Sequence, residues 1–245
     1  MNVNKFLPFL LLLPFLTSCT RQYKVEGVSS VTNLDGRMLY LKTLRDGQWV
    51  NLDSSEVVHG KFAMKGKVDS VQMVTLYMDD NSIMPLVLEN GDITVNITDM
   101  ELTAKGTPLN DALYEFIDKR NKLDEDIQKL GHKEARMVMD GADFTVVHEQ
   151  LTRESDSLVN EMNLYVKKFI SDNYETVLGP NVFMMLCSCL PYPVMTPQID
   201  DILKDAPSSF KNNKMVVEFV NKAKENMQLI QEHQRLQQNR AVVNH

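Results

Sequence analysis

The chain has 245 residues, enough after loss of a short leader for one large domain or two small ones, and its 43% hydrophobic and 24% charged content is ordinary for a globular protein. With 26 basic and 33 acidic residues the net charge is −7 and no basic patch stands out, which argues against nucleic acid as a partner. Three cysteines exclude dependence on a disulfide framework, and the second half has no apolar run long enough to span a bilayer.

Lys5 precedes an apolar run from Phe6 to Leu16 that carries Pro8 and Pro14 and is too short for a transmembrane helix. A basic start, a short apolar core and small residues describe an export signal over residues 1–18. Leu16-Thr17-Ser18-Cys19 closes it, and this tetrad resembles the lipobox of bacterial lipoproteins, whose cysteine thiol receives a diacylglycerol. The resemblance implies a mature chain that begins at lipidated Cys19, a tether over residues 19–22, and the membrane as partner through acyl chains, two or more of which make a stable anchor. Thr20 stands where an aspartate would favour inner-membrane retention, and no acidic run of the Bacteroidetes-type surface-export kind follows Cys19. The implied address is the cell envelope, at the periplasmic face of the outer membrane.

From Tyr23 the apolar period becomes two. Tyr23 and Val25 alternate with Lys24 and Glu26, and Asn33-Leu34-Asp35-Gly36 turns into a strand at Met38–Leu41. Asp46-Gly47 signals a hairpin into Trp49–Leu52. His59-Gly60 turns into Lys61–Gly66, where Phe62 and Met64 share one face. Met73–Met78 is the most apolar strand, Asp79-Asp80-Asn81-Ser82 breaks it, and Pro85–Glu89 follows. Asn90-Gly91-Asp92 turns into the clean alternation of Ile93-Thr94-Val95-Asn96-Ile97, and Leu102–Gly106 ends the series. About eight short strands predict an antiparallel β-sandwich or barrel over residues 23–106.

The pieces Tyr23-Lys24-Val25-Glu26-Gly27, Leu39-Tyr40-Leu41, Leu52-Asp53-Ser54, Gly60-Lys61-Phe62-Ala63-Met64-Lys65-Gly66, Leu88-Glu89-Asn90-Gly91-Asp92-Ile93 and Gly106-Thr107-Pro108-Leu109-Asn110 occur in an order of their own. That order resembles the domain of unknown function found at the N-terminus of exported thioredoxin-like proteins (AhpC/TSA-type) of the Bacteroidetes type. Each piece is a weak motif, and their succession carries the likeness. Such parts often precede a thioredoxin-like domain with a Cys-x-x-Cys site. No Cys-x-x-Cys occurs in these residues, so oxidoreductase activity does not carry over.

Thr107-Pro108 signals a helix start, with Thr as N-cap and Pro at the first position. Leu109, Leu113, Phe116, Leu123, Ile127 and Leu130 recur at helical spacing, with Gly131 as the expected stop and a bend near Asp140-Gly141. A second helix places Phe144, Val147, Leu151, Leu158, Met162, Tyr165, Val166 and Phe169 on one side, so the two predict an antiparallel hairpin. Val182 to Leu190 is apolar nearly all round and predicts a buried helix. Thr196-Pro197 starts a short helix that Ala206-Pro207 breaks, and a last one runs from about Asn213. Residues 107–230 thus read as an α-helical segment, and residues 231–245 as a polar tail that frays.

No residue pattern points to catalysis, and cofactors and metals are not expected. Cys187-x-Cys189 is a candidate redox pair, but residues two apart on a helix point to nearly opposite sides, and two buried small residues of a core helix are the favoured reading. The histidines, His59, His132, His148, His233 and His245, make no His-Glu-x-x-His, and His59 reads as a turn residue. Asp53-Ser54 reads as a local backbone clamp at a strand exit. Asp79-Asp80-Asn81-Ser82 lacks calcium-loop spacing and reads as a solvated turn. By resemblance to exported proteins of the same group, Ser70 in Asp69-Ser70-Val71 and Ser157 in Asp156-Ser157-Leu158 are candidate O-glycosylation sites.

The sequence therefore predicts an α+β envelope lipoprotein, an N-terminal β-sandwich followed by helices. Its expected role is non-enzymatic, a binding or scaffold module with an envelope protein partner. The alternative is an accessory to a periplasmic thiol-disulfide, thioredoxin-like system without a redox site of its own.

Overall fold

The computed structural model describes residues 21–243, with side chains through residue 236. The signal segment 1–18, Cys19 and Thr20, and His245 lie outside the described residues. Eight strands come first: β1 (Gln22–Ser29), β2 (Met38–Arg45), β3 (Gln48–Glu56), β4 (Lys61–Lys67), β5 (Gln72–Met78), β6 (Asn81–Leu88), β7 (Gly91–Ile97) and β8 (Leu102–Lys105). Six helices follow: α1 (Pro108–Met139), α2 (Phe144–Asp172), α3 (Leu178–Ser188), α4 (Pro197–Asp205), α5 (Ser208–Lys211) and α6 (Lys214–Val243). The protein is α+β, as its sequence predicts.

The strands form two four-stranded sheets, one in the order β4-β1-β7-β8 and the other in the order β3-β2-β5-β6. Two open sheets make a sandwich and not a barrel. Alternation sets the facing residues: Tyr23, Val25, Phe62, Met64, Ile93 and Val95 from the first sheet and Leu39, Leu41, Val74, Leu76 and Leu86 from the second are all buried. The β2–β3 hairpin turns on Asp46 and Gly47 (φ 50° and 78°), and His59 and Gly60 (φ 52° and 70°) turn the chain into β4. Positive φ at both central residues is the geometry of the tight hairpin turn that matches strand twist.

Several expectations need correction. The sandwich is not wholly antiparallel, because β1 and β7 pair in parallel, Val25 opposite Ile93 and Gly27 opposite Val95. The chain crosses between the sheets several times between these strands and re-enters the first sheet beside β1 in the same direction. The strand expected from Pro85 begins at Asn81, with Pro85 opposite Thr75. β6 is an edge strand, so the missing N–H of Pro85 breaks no ladder. Gly131 does not stop α1, which runs two turns farther to a bend where Gly141 has φ 94°. Beyond Gly131, Met137 and Val138 pack with Leu130, Val147 and Leu151, so pairing with α2 outweighs one glycine's weak helix propensity. Phe144, placed by its period on the packed side of α2, is exposed and stacks on the His148 ring. α6 itself runs through the polar tail residues to Val243, with the side chains of 231–236 in solvent.

One apolar core runs from the sandwich into the helices. It joins Leu86 and Val87 to Leu113, Phe116, Ile170, Phe183, Phe210 and Phe219. α1 and α2 form the antiparallel hairpin, with Phe116 stacked on Phe169 near its base and Lys133 paired with Glu154 farther out.

Candidate functional site

Two places on the molecule concentrate polar or accessible groups in a built setting. The first is the junction of sandwich and α1. Four polar residues are buried among the described residues, and three of them, Glu89, Thr107 and Asn110, meet here. The Glu89 carboxylate accepts from the backbone N–H of Leu109 (2.8 Å) and of Asn110 (3.2 Å), so a strand-derived charge caps α1. Thr107, the predicted N-cap, is spatially correct, but its hydroxyl instead accepts from Asn110 Nδ2 at 2.8 Å. Asn110 also accepts from Val87 N–H (2.9 Å) and donates to Val87 C=O (2.8 Å), taking the place of a neighbouring strand at the β6 edge. Tyr114 Oη donates to Pro85 C=O at 2.9 Å, closing the next position along that edge. A side chain at Gly106 would lie 2.6 Å from Asp92 C=O, so the chain must be bare where the junction closes. Every polar group here has a partner, and the junction is structural.

The second place is a groove of about 1090 Å3 between the outer face of the β3-β2-β5-β6 sheet and the helices. Met73, Thr75 and Pro85 supply its sheet side, and Met184, Met185, Met215 and Phe219 its helical side. Arg45, Trp49, Glu175 and Glu218 stand along it. Trp49 is 52% exposed and meets Tyr77 edge-to-face with ring centroids 5.3 Å apart. At one side Lys214 Nζ lies 2.6 Å from Asp46 Oδ1, tying the start of α6 to the β2–β3 turn. That lysine holds the Asp46 carboxyl below its ordinary range. β3 is an end strand, paired along its length with β2. Ser55 Oγ accepts from Ala63 N–H near its far end, so the half from Trp49 to Leu52 has no strand on its outer side among the described residues. The two edges of one sheet thus differ: α1 closes β6, and β3 is open beside the groove.

The sequence-predicted residues fall as follows. Cys187 lies in α3, buried, and burial pushes its thiol up to about 12. Cys189 is the exposed C-cap residue of the same helix, its Sγ 3.5 Å from Met185 C=O. Ser70 stands exposed in the bend between β4 and β5, and Ser157 exposed on α2. His59 occupies its tight turn. His148 Nδ1 lies 2.8 Å from Glu134 Oε1, a link between α1 and α2. His132 lies near the hairpin tip and His233 on exposed α6. Asp79 and Asp80 form the β5–β6 turn, with the Arg37 guanidinium donating to Asp79 and Lys42 Nζ donating to its carbonyl. Among the described residues no group of three or more His, Cys, Asp or Glu side chains is placed to hold a metal ion. No helix among them is long and apolar enough to cross a membrane.

Asp53 does more than clamp its own strand. Oδ1 accepts from Ser54 N–H (2.8 Å), the local bond expected, while Oδ2 accepts from Tyr23 Oη (2.9 Å) across the sandwich. Burial, and then the bond to Asp53, pushes the Tyr23 phenol above its ordinary value. The Tyr23 ring lies over Gly66, where an added Cβ would come within 2.7 Å of Oη, and Phe62 lies over Gly27 in the same way. The short motifs of the sequence are therefore contacts with one another. Glu89 and Asn110 carried no functional signal in the sequence, though both stand inside those motifs.

Residues 23–113 match the family described as a domain of unknown function, DUF4369. The match includes the opening turns of α1, the part that carries Asn110 and buried Leu113. No curated protein and no solved structure matches the chain.

Proposed function

We propose that this chain is a non-catalytic binding module of the cell envelope, lipid-anchored at Cys19, that receives a segment of a partner polypeptide in the groove between the sandwich and helices α3 and α6. The observation that carries the reading is the groove, with Met73, Met184, Met185 and Met215 along it and Trp49 and Arg45 at its side. Unbranched methionines adapt to varied apolar side chains. Tryptophan and arginine are the residue types in which binding energy concentrates. The open half of β3 offers backbone N–H and C=O groups to an extended segment at the same place. An anchor at Cys19 would hold the module at a membrane, where its partner would have to be exported or membrane-bound too.

The test is site-specific photocrosslinking in cells producing the full-length chain. A photoreactive residue at Trp49 or Met185 is expected to capture the same polypeptide, and one at Ser157 none. Equal capture from all three positions, or none from an anchored and folded protein, would sink the reading. Recovery of a thioredoxin-like protein as the captured partner would favour the thiol-disulfide accessory role.

A further inference from the structure

The other sheet of the sandwich has a bare outer face, and its chemistry is unlike that of the whole chain. In β1, Tyr23, Val25 and Gly27 point inward, so Lys24, Glu26 and Val28 point out. Pairing places Lys65 opposite Lys24, Lys67 opposite Gln22 and Lys61 opposite Val28. On the other side Asp92 lies opposite Lys24, and Lys105 opposite Thr94. Five lysines and two carboxylates thus share one exposed face of a protein whose net charge is −7. Glu26 is engaged by Lys24 at 2.8 Å. Among the described residues Lys61, Lys65, Lys67 and Lys105 have no ion-pair partner. The acids Asp99 and Glu101 lie in the β7–β8 turn at one end of the face, on either side of Met100. Like charges directly opposite on neighbouring strands destabilise a sheet, and at the Lys24–Lys65 pair Glu26 and Asp92 attract Lys24 while Lys65 has no ion-pair partner among the described residues.

Position adds a second observation. β1, an inner strand of this sheet, starts at Gln22, three residues after Cys19, a reach of about 10 Å at full extension. Lys65 and Lys67 lie toward that end of the face, Lys105 is level with Glu26 at its middle, and Lys61 stands opposite Val28 at the far end. The opposite end carries Val28, Val58 and Met100, which are 48%, 53% and 95% exposed.

We propose that the outer face of the β4-β1-β7-β8 sheet lies flat on an anionic phospholipid surface, with its lysines at the headgroups. Charge complementarity selects the occupant, and a tether this short keeps the face from turning away. The tether argument rests on lipidation of Cys19; the charge argument does not. The helices and the groove would then face away from the bilayer, open to a partner. In the absence of a lipid anchor each lysine removed is expected to weaken partitioning onto anionic vesicles about fivefold at low salt.

The experiment adds the purified full-length chain to vesicles of phosphatidylcholine, alone or mixed with phosphatidylglycerol, and acetylates accessible lysines for mass spectrometry. Lys65, Lys67 and Lys105 are expected to label several-fold more slowly on the mixed vesicles, with Lys129 and Lys224 unchanged and the protection lost in high salt. Equal labelling of the face on both vesicles, with the protein bound, overturns the proposal. The mass of the N-terminal peptide reports the lipid separately. If Cys19 carries none, the same chain is sedimented with mixed vesicles, where salt-sensitive binding supports the face and its absence overturns it. The variant Lys65→Glu/Lys67→Glu/Lys105→Glu is expected to abolish that binding while Arg120→Glu/Lys224→Glu retains it. Should the triple variant misfold by circular dichroism, the wild-type labelling decides.

Discussion

The two sheets of the sandwich have similar inner faces and opposite outer ones. Outward residues of the β4-β1-β7-β8 sheet are Lys24, Glu26, Lys65, Asp92 and Thr94, all exposed. Outward positions of the β3-β2-β5-β6 sheet include Met73, Thr75 and Pro85, half-buried, and Val87, fully buried. One face is bare and the other lies under helices. The difference teaches what a strand pattern encodes. Ile93-Thr94-Val95-Asn96-Ile97 alternates because one side meets water, whereas Ile83-Met84-Pro85-Leu86-Val87-Leu88 is continuously apolar because both sides are covered.

The largest expected effect lies where the covered sheet meets α1. Asn110→Leu leaves Val87 N–H and C=O unpaired in a buried edge and should cost about 3 kcal/mol. Urea unfolding measures it, and a loss no greater than that of an average surface substitution would mean that water replaces the amide and the edge is open.

The faces themselves are compared by a matched pair. Val87→Thr places a hydroxyl under the helices and should cost roughly 1–2 kcal/mol, while Thr94→Val on the bare face should stay within about 0.5 kcal/mol. Equal values would break the comparison, because the helices would then not cover the sheet in solution.

A smaller effect is set by pH. The folded chain holds the Tyr23 proton more tightly than the unfolded chain, through burial and the bond to Asp53. Below a phenol's ordinary value of about 10 both states are protonated and the stabilisation is complete. As pH rises through that value the unfolded chain loses its proton first, so stability falls. Tyr23→Phe should flatten part of this alkaline loss, leaving the share due to Tyr114, Tyr165 and Tyr174, whose phenols burial also pushes up. An unchanged alkaline slope in the variant would show that the phenol is not held as described.

Smallest in energy, and sharpest in readout, is thiol reactivity. Cys189 at the exposed end of α3 should react with a maleimide in the native protein, and Cys187 only after denaturant, since its thiol is buried and its ionisation suppressed. Matched native rates would place Cys187 outside the core that joins helices to sheet.

Much of the fold was legible because local rules decided it. Asp46-Gly47 and His59-Gly60 supply the backbone angles of tight turns, and Thr196 accepts from Ile199 N–H, as the cap-and-proline start implies. Long-range facts were not legible. Glu89 reads as an ordinary strand-end acid until α1 arrives beside it. The basic face was invisible because Lys24, Lys61, Lys65, Lys67 and Lys105 come from three strands far apart in sequence, so no basic run appears.

By itself the sequence determined the element types, the tight turns and the order of strands before helices, because period, turn residues and helix starts act within a few residues. It also supplied the reading of an exported chain modified at Cys19. Only the tertiary structure decided that β1 and β7 pair in parallel, that Asn110 closes one sheet edge while β3 stays open, and that dispersed lysines share a face. The physical reason is range: alternation says that a residue points out, but what lies beyond it depends on where distant segments return.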